Sequence, residues 1–283
     1  MTIQKKLAWA TLVTADDYVI GAKVLRHSLS KVGSPYPLVI MYSESVSPEG
    51  VRSLAGLDNV ILRLVTPLLA QPHQKVNYAF ERFKEVWSKM KAWELTDFEV
   101  VTFLDSDMLV LQNMDELFDL LPEDKQLVAS AGCCCNPMKF AHYPKHWIPE
   151  NCPMPKPLAD QRYFNSGMFV FRPSLETMDS ITERFHSETD LTRFMFADQD
   201  FLNEFFADYS ASPLRYNALR TAMVHHADLW DPADIKNIHY VLSPKPWKYD
   251  LADPKHQDDI YYPLFKSWWD VAAEYEPDFV FSP

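Results

Sequence analysis

The feature that most constrains the fold is an alternation of short apolar runs with helical patterns over the N-terminal part of the chain. Apolar residues recur at helical spacing over 18–32 and 78–95, and the runs between these patterns predict β-strands. Strand–helix alternation of this kind predicts a largely parallel sheet with helices on its faces. The predicted strands are 6–13, 36–42, 59–65 and 99–104.

Two helix starts are recognisable from residues suited to capping. Thr14, Asp16 and Asp17 precede the 18–32 pattern, and their side-chain oxygens are suited to accept hydrogen bonds from the first turn. Ser47-Pro48-Glu49 predicts the start of a second helix, because proline is favoured in the first helical turn.

The C-terminal part of the chain continues the mixed pattern. Two more strands are predicted at 126–132 and 163–171, and two helices near 174–187 and 198–208. Residues 136–160 are rich in proline and predict a long loop. The aromatic segment 261–275 has helical spacing, which favours a core position over an interface. No linker or internal repeat is visible, so we expect residues 1–283 to form a single α/β domain.

The charge balance argues against several classes of partner. The formal net charge of −12 disfavours nucleic acids and anionic membranes, which require clustered lysine and arginine. The N-terminus lacks a signal-peptide pattern, and no stretch reaches the roughly 18 apolar residues of a membrane span. We therefore expect a soluble, cytoplasmic protein. The sequence leaves the oligomeric state open, with a homodimer as one option.

The four cysteines fit a reducing compartment. Cys133, Cys134 and Cys135 are consecutive, and adjacent cysteines are poorly placed to bridge one another. His142 and His146 lie between this triplet and the fourth cysteine, Cys152, which leaves a zinc site open. Because the spacing matches none of the usual paired zinc patterns, we expect buried or half-buried reduced thiols.

Two carboxylates, Asp105 and Asp107, follow directly after the apolar run Val100–Leu104. Ligands of open α/β sheets bind beyond the carboxyl ends of the strands, and alternate strand residues point the same way. The chain has only six glycines and no glycine-rich phosphate loop, so a nucleotide would need a divalent cation between its phosphates and these acids. A second Asp-x-Asp, at 198–200, opens a predicted helix, where acids also favourably cap the N-terminus.

Several ordered blocks of the sequence resemble glycosyltransferase family 8. The blocks are "TLVTADDYVIGAKVL", "WSKMKAWELTDFEVVTFLDSDMLVLQNMDELFD", "YFNSGMFVFRPSLET", "DQDFLNEFF" and "HYVLSPKPWKY", and together they span nearly the whole chain. The resemblance implies a GT-A-type, Rossmann-like fold, a UDP-sugar donor, Mn²⁺ and transfer with retention of anomeric configuration. It also implies a nucleotide-binding half at 1–107 and a sugar and acceptor half at 108–283.

The resemblance implies a role for residues whose chemistry alone is ambiguous. Asp105, Asp107 and His239 correspond to the metal ligands, although His239 taken alone reads as a satisfied histidine near a strand end. The implied catalytic residues are Asp198, Gln199 and Lys245, with Lys245 also reaching the diphosphate of the departing UDP. The implied donor-binding residues are Leu12, Thr14, Tyr18, Lys89, Asp105, Ser106, Asn165, Ser166, Gly167 and Lys245.

Simpler interpretations of these residues remain open. Lys89 is also consistent with a solvated helix face, Asp198 with a helix cap, and Asn165 and Gly167 with a turn or bulge. Two positions depart from the family pattern. Leu242 lies in a loop where the family usually has a glycine, and Gly132 replaces a family acid, so a sugar contact there is expected to be missing or supplied differently.

The acceptor is less constrained than the donor. Residues 217–239 contain no tyrosine, which argues against the self-glucosylation of the glycogenins within the family. The segments "SPYPLVIMY" and "KSWWD" resemble those of the galactinol synthases, which implies transfer from UDP-galactose to myo-inositol. UDP-glucose or UDP-GlcNAc with another acceptor is an alternative, and so is a non-catalytic binder of a sugar nucleotide or metal. Gln199 is a weak nucleophile, so we favour front-face attack over a covalent intermediate.

Overall fold

The computed structural model describes residues 6–76, 81–154 and 162–281; at 81–84 it describes the backbone only. Within these ranges, seven strands form one sheet in the order β3-β2-β1-β4-β7-β6-β8. β7 runs antiparallel to β4 and β6, and the other neighbours in the sheet are parallel. The strands are β1 Leu7–Val13, β2 Leu38–Tyr42, β3 Val60–Leu64, β4 Val100–Leu104, β5 Met108–Val110, β6 Leu127–Ala131, β7 Phe164–Phe171, β8 Ser210–Ser212, β9 Ala218–Leu219 and β10 Asn237–His239. The prediction of a mostly parallel α/β sheet is therefore confirmed.

A small second sheet, β5-β10-β9, lies beside the end of β4. β10 pairs antiparallel with β5, and His239 stands opposite Met108 in this register. The sequence analysis did not predict these strands, because each has only two or three residues and shows no periodicity. They matter because they place the end of β10 next to the acids that follow β4.

Helices cover both faces of the large sheet, as the strand–helix alternation predicts. The α-helices are α1 Val19–Lys31, α2 Pro48–Ala55, α3 Leu175–Ser187, α4 Asp198–Phe205, α5 Ala222–His225 and α6 Tyr262–Tyr275. Alternate strand residues point to opposite apolar layers: Phe103 packs in the cluster that contains α3 and α4 residues, and Leu104 in the cluster that contains α1 residues. No helix in the described ranges is both long and apolar enough to cross a membrane.

The predicted helix 78–95 differs in its geometry. Residues Glu81–Glu94 form 3₁₀ turns, and Tyr78, at its predicted start, lies outside the described residues. Trp87, Met90 and Trp93 are spaced three apart and are all buried. A period of three brings such residues onto one side of a 3₁₀ helix, so burial of these side chains accounts for the tighter turn.

One predicted cap is wrong and the other is confirmed. Asp16–Tyr18 forms a 3₁₀ turn before α1, and the Asp16 carboxylate accepts a hydrogen bond from the backbone of Ser47 instead of capping α1. Ser47 caps α2 by accepting from the N–H of Gly50, with Pro48 as the first helical residue. Asp16 therefore joins the two helix starts.

The aromatic segment at 261–275 belongs to the core, as its spacing favoured. Phe265 and Trp268 of α6 are fully buried, and they pack with Trp247 and Tyr249 of the segment that follows β10. Gly21 of α1 makes this packing possible, since a Cβ there would lie 2.6 Å from the carbonyl oxygen of Ser106 and 2.8 Å from the Trp247 ring. The C-terminal helix thus supports the same side of the sheet on which the acids emerge.

Candidate active site

The two acids predicted to bind a cation emerge where β4 ends. All five residues of β4 are buried, and β7 lies antiparallel beside it, with Leu104 opposite Met168. The N–H of Asp105 donates to the carbonyl of Gly167 at 2.8 Å, so the first acid is fixed against the start of β7. The small sheet brings His239 to the same place, because the N–H of Tyr240 donates to the carbonyl of Asp107 at 3.0 Å. Three segments distant in sequence therefore converge here.

Asp105, Asp107 and His239 form a cluster whose ligand atoms all lie within 4.8 Å of one another. The Nε2 atom of His239 is 3.3 Å from Oδ1 of Asp107 and 3.8 Å from Oδ2 of Asp105. Asp107 and His239 are buried, and Asp105 is half-buried and faces the adjacent cavity. Two carboxylate oxygens and one imidazole nitrogen suit Mn²⁺, and three protein ligands leave coordination positions for a substrate. The donor set therefore fits the metal that the family resemblance implies.

The hydrogen bonds behind His239 leave its Nε2 lone pair free to face the cluster. Nδ1 of His239 lies 3.0 Å from the side-chain oxygen of Asn217, and the amide nitrogen of Asn217 donates to Asn165 at 2.9 Å. Because Asn217 uses its nitrogen on Asn165, its oxygen must accept from His239, which puts the imidazole proton on Nδ1. A metal-binding histidine is typically oriented by such a partner on its other nitrogen.

The same chain of amides continues to Asp200. Asn165 donates to the side-chain oxygen of Gln199 at 2.8 Å, and the Gln199 nitrogen lies 2.9 Å from the hydroxyl of Tyr163. That hydroxyl in turn donates to Asp200 at 2.5 Å. Burial raises the pKa of Asp200, and burial together with Asp200 raises the pKa of Tyr163, so this phenol stays protonated and keeps donating. Each donor therefore points the same way, from His239 to Asp200.

Gly167 is the residue that lets His239 approach β7. A Cβ at this position would lie 2.2 Å from Cε1 of the His239 ring and 2.7 Å from its Nδ1. Such distances are far below van der Waals contact, so a larger residue would displace the imidazole. The alternative interpretation of Gly167 as a simple turn residue does not account for this close contact.

Lys89 lies beneath the cluster rather than on a solvated helix face. Its Nζ is 2.8 Å from Asp105 and 3.1 Å from Asp198, and it donates to the carbonyl of Ser166 at 3.1 Å. Burial opposes its charge, but Asp105 and Asp198 outweigh that effect and raise the pKa of Lys89. All three ammonium donors are thus used on protein oxygens, and the predicted contact between Lys89 and phosphate stays a prediction.

Lys245 lies on the other side of the acid pair, closer to solvent. Its ammonium contacts Asp107 at 2.5 Å and donates to the carbonyl of Tyr240 at 3.1 Å. Burial alone would raise the pKa of Asp107, but Lys245 and His239 more than offset it and hold that pKa well below its ordinary value. Burial raises the pKa of Asp105, even though Lys89 opposes this. Asp107 is therefore the more strongly stabilised carboxylate of the two.

A cavity of about 830 Å³ opens over this cluster. Its volume falls within the ~300–1,000 Å³ range of typical small-molecule sites. Among the predicted site residues, Gly167 is behind the wall and the others line the cavity. These are Leu12, Thr14, Tyr18, Lys89, Asp105, Ser106, Asp107, Asn165, Ser166, Asp198, Gln199, His239 and Lys245.

A second cavity of about 170 Å³ adjoins the first and shares Asn165 and Gln199 with it. Its other walls include Gly132, the position where the family resemblance led us to expect a missing acid. A Cβ at Gly132 would lie 3.2 Å from the Tyr163 ring and 3.3 Å from the backbone nitrogen of Asn165. A side chain there would be in tight contact with both neighbours, so glycine permits the close approach of Tyr163 and Asn165 beside this cavity.

Sequence reasoning missed the residues that orient the site. Asn217 and Tyr163 carry no motif of their own. Asp200 belongs to the Asp-x-Asp at 198–200, which fits a helix cap, and only the distances in space reveal the role of all three. Arg220 was also missed; it is buried and donates to the carbonyls of Val241 and Ser243, at 2.8 Å each. Those carbonyls belong to the loop between His239 and Lys245. Arg220 therefore holds in place the loop that joins the predicted metal ligand His239 to the predicted catalytic residue Lys245.

Comparisons with known proteins show the family of this chain. Residues 10–250 match the family model described as "Glycosyl transferase family 8". The chain is 34% identical to galactinol synthase 1 of Solanum lycopersicum over 278 residues, covering 95% of this chain and 83% of the relative. It is 31% identical to galactinol synthase 6 of Arabidopsis thaliana over 290 residues, with 97% and 83% covered.

Among solved structures, the fold is similar to the galactosyltransferase LgtC in complex with donor and acceptor sugar analogues. The TM-score is 0.67 at 17% identity, over 95% of this chain and 96% of that one. At that identity the likeness concerns the fold alone, and it confirms the predicted GT-A-type architecture. The family match and the curated relatives define a glycosyltransferase. The chain belongs to glycosyl transferase family 8.

Proposed function

We propose that this glycosyltransferase transfers a hexose from a UDP-sugar to a hydroxyl group of a small polyol, with retention of configuration and with Mn²⁺. UDP-galactose and myo-inositol are the proposed pair. The observation that carries the proposal is the cluster of Asp105, Asp107 and His239 at the floor of a large cavity, with Lys245 beside it. The galactinol synthases, at 31–34% identity over nearly the whole chain, support the choice of substrates.

The cluster is suited to a diphosphate only when a cation is shared. A bound divalent cation supplies the positive charge that lets carboxylates and phosphates occupy one site, and it stabilises charge on departing UDP. Lys245 adds a second positive charge at the cavity wall. We propose that the Lys245 ammonium turns from Asp107 to the diphosphate when the donor binds. The lysine side chain is long enough for this movement, and the bound cation would then balance the charge of the Asp107 carboxylate.

The residues around the reacting carbon favour front-face attack. The side-chain oxygen of Gln199 already accepts from Asn165 at 2.8 Å and from the N–H of Ser166 at 3.1 Å. Both lone pairs are engaged, so Gln199 is suited to hold its neighbours and poorly suited to attack carbon. In the proposed step, the bond from the anomeric carbon to UDP breaks. A bond to the acceptor oxygen forms on the same face, and the acceptor's proton passes to a diphosphate oxygen.

We propose that Asp198 binds the donor sugar rather than acting as a nucleophile. Its Oδ2 accepts from the hydroxyl of Ser166 at 2.9 Å and from Lys89 at 3.1 Å. Asp198 is buried, and these two contacts keep one carboxylate oxygen occupied while the side chain still lines the cavity. We propose that its remaining acceptor capacity receives a sugar hydroxyl, which would orient the anomeric carbon toward the acceptor.

The second cavity is the proposed acceptor site. At about 170 Å³ it is smaller than a typical drug-sized pocket, which suits a single small ring. It meets the main cavity at Asn165 and Gln199, next to the predicted position of the reacting carbon. Phe140, Tyr143 and Trp147 provide apolar faces for the C–H groups of a polyol, and the amides provide polar partners for its hydroxyls.

The test is UDP release from a panel of UDP-sugars, with and without Mn²⁺ and with myo-inositol or other polyols. The proposal expects the fastest release with UDP-galactose, Mn²⁺ and myo-inositol together, and a product whose linkage keeps the donor's anomeric configuration by NMR. Release that requires another acceptor would overturn the inositol assignment. Binding of UDP with metal but without turnover of any donor would overturn the catalytic assignment.

A matched pair of variants tests the metal role. Asp107→Asn removes the charge with little change in shape, and we expect it to abolish metal-dependent UDP binding measured by calorimetry. Asp270→Asn is the control, because Asp270 lies on the surface and pairs with Lys266 four residues earlier. Wild-type metal dependence in Asp107→Asn would contradict the role given to Asp107.

A further inference from the structure

Away from the active-site acids, three of the four cysteines converge on one histidine. The Sγ atoms of Cys133 and Cys135 each lie 3.3 Å from Nε2 of His226, and Sγ of Cys152 lies 3.7 Å from it. The four ligand atoms all lie within 4.8 Å of one another. His226 is distant in sequence, at the end of α5, so no spacing pattern could reveal it. His142 and His146, which the sequence analysis considered, do not join this cluster.

The distances match those of a tetrahedral site. Zinc bonds of about 2.3 Å to sulfur and about 2.0–2.1 Å to imidazole nitrogen place sulfur and nitrogen about 3.6 Å apart at a tetrahedral angle. The three observed separations, 3.3, 3.3 and 3.7 Å, lie on either side of that value. Because all four ligand atoms also lie within 4.8 Å of one another, they are close enough to share one ion.

The surroundings of the cluster also suit metal-bound thiolates. Cys152 and His226 are buried, and Cys133 and Cys135 are half-buried. The N–H of Cys134 donates to Sγ of Cys152 at 3.3 Å, a contact that supports negative charge on sulfur. Apolar side chains surround the sulfurs, and these include Leu219, Ala222, Leu229 and Trp230. Apolar surroundings of this kind strengthen a charged metal–thiolate interaction.

We propose that Cys133, Cys135, Cys152 and His226 bind one structural Zn²⁺ ion. Four protein ligands fill a tetrahedral shell and leave no position for water or substrate, which is typical of structural rather than catalytic zinc. Binding converts the thiols to thiolates, and the released protons go to solvent; no oxidant or reductant takes part. Three thiolates and a neutral imidazole leave the site with one net negative charge, and the N–H of Cys134 partly offsets it.

The ion would fix the wall of the second cavity. Cys133 lines that cavity directly, and the loop between Cys135 and Cys152 contributes Pro137, Phe140, Tyr143 and Trp147. Zinc would join both ends of this loop to His226, at the end of α5. A segment with little regular structure would thereby gain a fixed position. The inference does not depend on which donor or acceptor the enzyme uses.

The direct test is the zinc content of the tag-free protein. The protein is purified under reducing conditions, and its metals are measured by elemental mass spectrometry. The expected result is about one zinc per chain, falling to near zero in Cys135→Ser, Cys152→Ser and His226→Ala. Cys134→Ser is the matched control: Cys134 is buried in the same triplet, but its sulfur is outside the cluster, so it should retain zinc. Less than a tenth of a zinc per chain in the wild type, even after zinc is supplied during refolding, would overturn the proposal.

Cobalt substitution tests the ligand set independently of protein stability. Co²⁺ in a site with three sulfurs and one nitrogen gives strong sulfur-to-metal charge-transfer bands and tetrahedral visible bands. We expect these bands in the wild type and in Asp107→Asn, but not in Cys152→Ser. Bands that disappear in Asp107→Asn would assign the signal to the active site and contradict the proposal. A loss of two hydrogens in the intact mass of the metal-free native protein would show a disulfide and also contradict it.

A structural role predicts a local effect of zinc removal. Chelation should increase hydrogen exchange in the loop between Cys135 and Cys152, and readdition of zinc should reverse the change. Strands β1 and β4, in the middle of the sheet, should keep their protection. Unchanged exchange in the loop after complete zinc removal would show that the ion does not hold it.

Discussion

The close contact between Gly167 and His239 makes a quantitative prediction. In Gly167→Ala the new Cβ would lie 2.2 Å from Cε1 of His239, whereas ordinary contact begins at 3.4 Å. The difference requires a displacement of about 1.2 Å, and strand β7 is buried between two neighbours and cannot easily supply it. The imidazole must therefore move. In the wild type its Nε2 lies 3.3 Å from Oδ1 of Asp107, so the movement displaces a predicted metal ligand from its partner.

The expected consequence is a loss of metal affinity with the fold intact. Removing the support of a ligand typically lowers metal affinity by about 10–100-fold, and we expect a loss of that size for Gly167→Ala. A reacting geometry that is about 1 Å out of place costs a further factor of up to about 100 in rate. The measurement is the Mn²⁺ concentration that gives half-maximal UDP binding by calorimetry and half-maximal UDP release in the enzyme assay.

Two further variants separate a site effect from a general effect of alanine. Gly56→Ala is the control, because its added Cβ would lie 3.5 Å from the carbonyl oxygen of Ser53, in ordinary contact. Stability and metal affinity should stay within about 0.5 kcal/mol of the wild type in this control. In a His239→Ala background, Gly167→Ala should have little additional effect on metal affinity. Wild-type Mn²⁺ dependence in Gly167→Ala would refute the reasoning.

Three other variants test the supports of the site. Lys89→Met leaves Asp105 and Asp198 without their buried cation, so the free energy of unfolding should fall by about 3–5 kcal/mol in denaturant titrations; a change below 1 kcal/mol would contradict the pairing. Tyr163→Phe removes one hydrogen bond from each of the half-buried Asp200 and Gln199 side chains, although Asp200 still accepts from the N–H of Phe196. This loss should cost about 1–3 kcal/mol of stability and weaken Mn²⁺ dependence; unchanged values for both would exclude the hydrogen-bond chain. Leu242→Gly should raise the free energy of unfolding by up to about 1 kcal/mol, because Leu242 has φ +66° and a left-handed conformation costs a residue other than glycine about 1–2 kcal/mol. Val241→Gly is the control and should lower the free energy of unfolding.

The sequence predicts six strands of the large sheet and misses the three-residue β8 and the small sheet, for a physical reason. Strands such as β1 and β4 are continuous apolar runs because both faces of the sheet are covered, and that pattern is visible in any single chain. β9 and β10 have two or three residues each, and their position depends on pairing with β5. Short strands are stabilised by their neighbours rather than by local propensity, so only the structure reveals them.

The site divides in a similar way. Asp105 and Asp107 stand out because charge directly follows a buried strand, and the family resemblance then points to His239 and Lys245. Asn217, Tyr163 and Asp200 act through the orientation of other side chains, and orientation leaves no spacing in a sequence. The loop at Leu242 is partly predictable from the family pattern, which usually has a glycine there. The positive φ at Leu242 is a conformation that glycine adopts freely, so the loop keeps that conformation without the glycine.

The two candidate metal clusters favour different ions, because their ligands differ in chemistry. Zinc binds most ligand sets more tightly than Mn²⁺, so an oxygen-rich site gains its manganese through availability and geometry rather than affinity. The active-site cluster offers two carboxylates and leaves positions open, which favours an ion that accepts six oxygen and nitrogen ligands. The cluster of Cys133, Cys135, Cys152 and His226 offers three thiolates in a closed tetrahedral set, which retains zinc far more strongly. A chelator of moderate strength should therefore abolish Mn²⁺-dependent UDP binding first and leave the zinc content unchanged, and removal of both ions together would contradict this division.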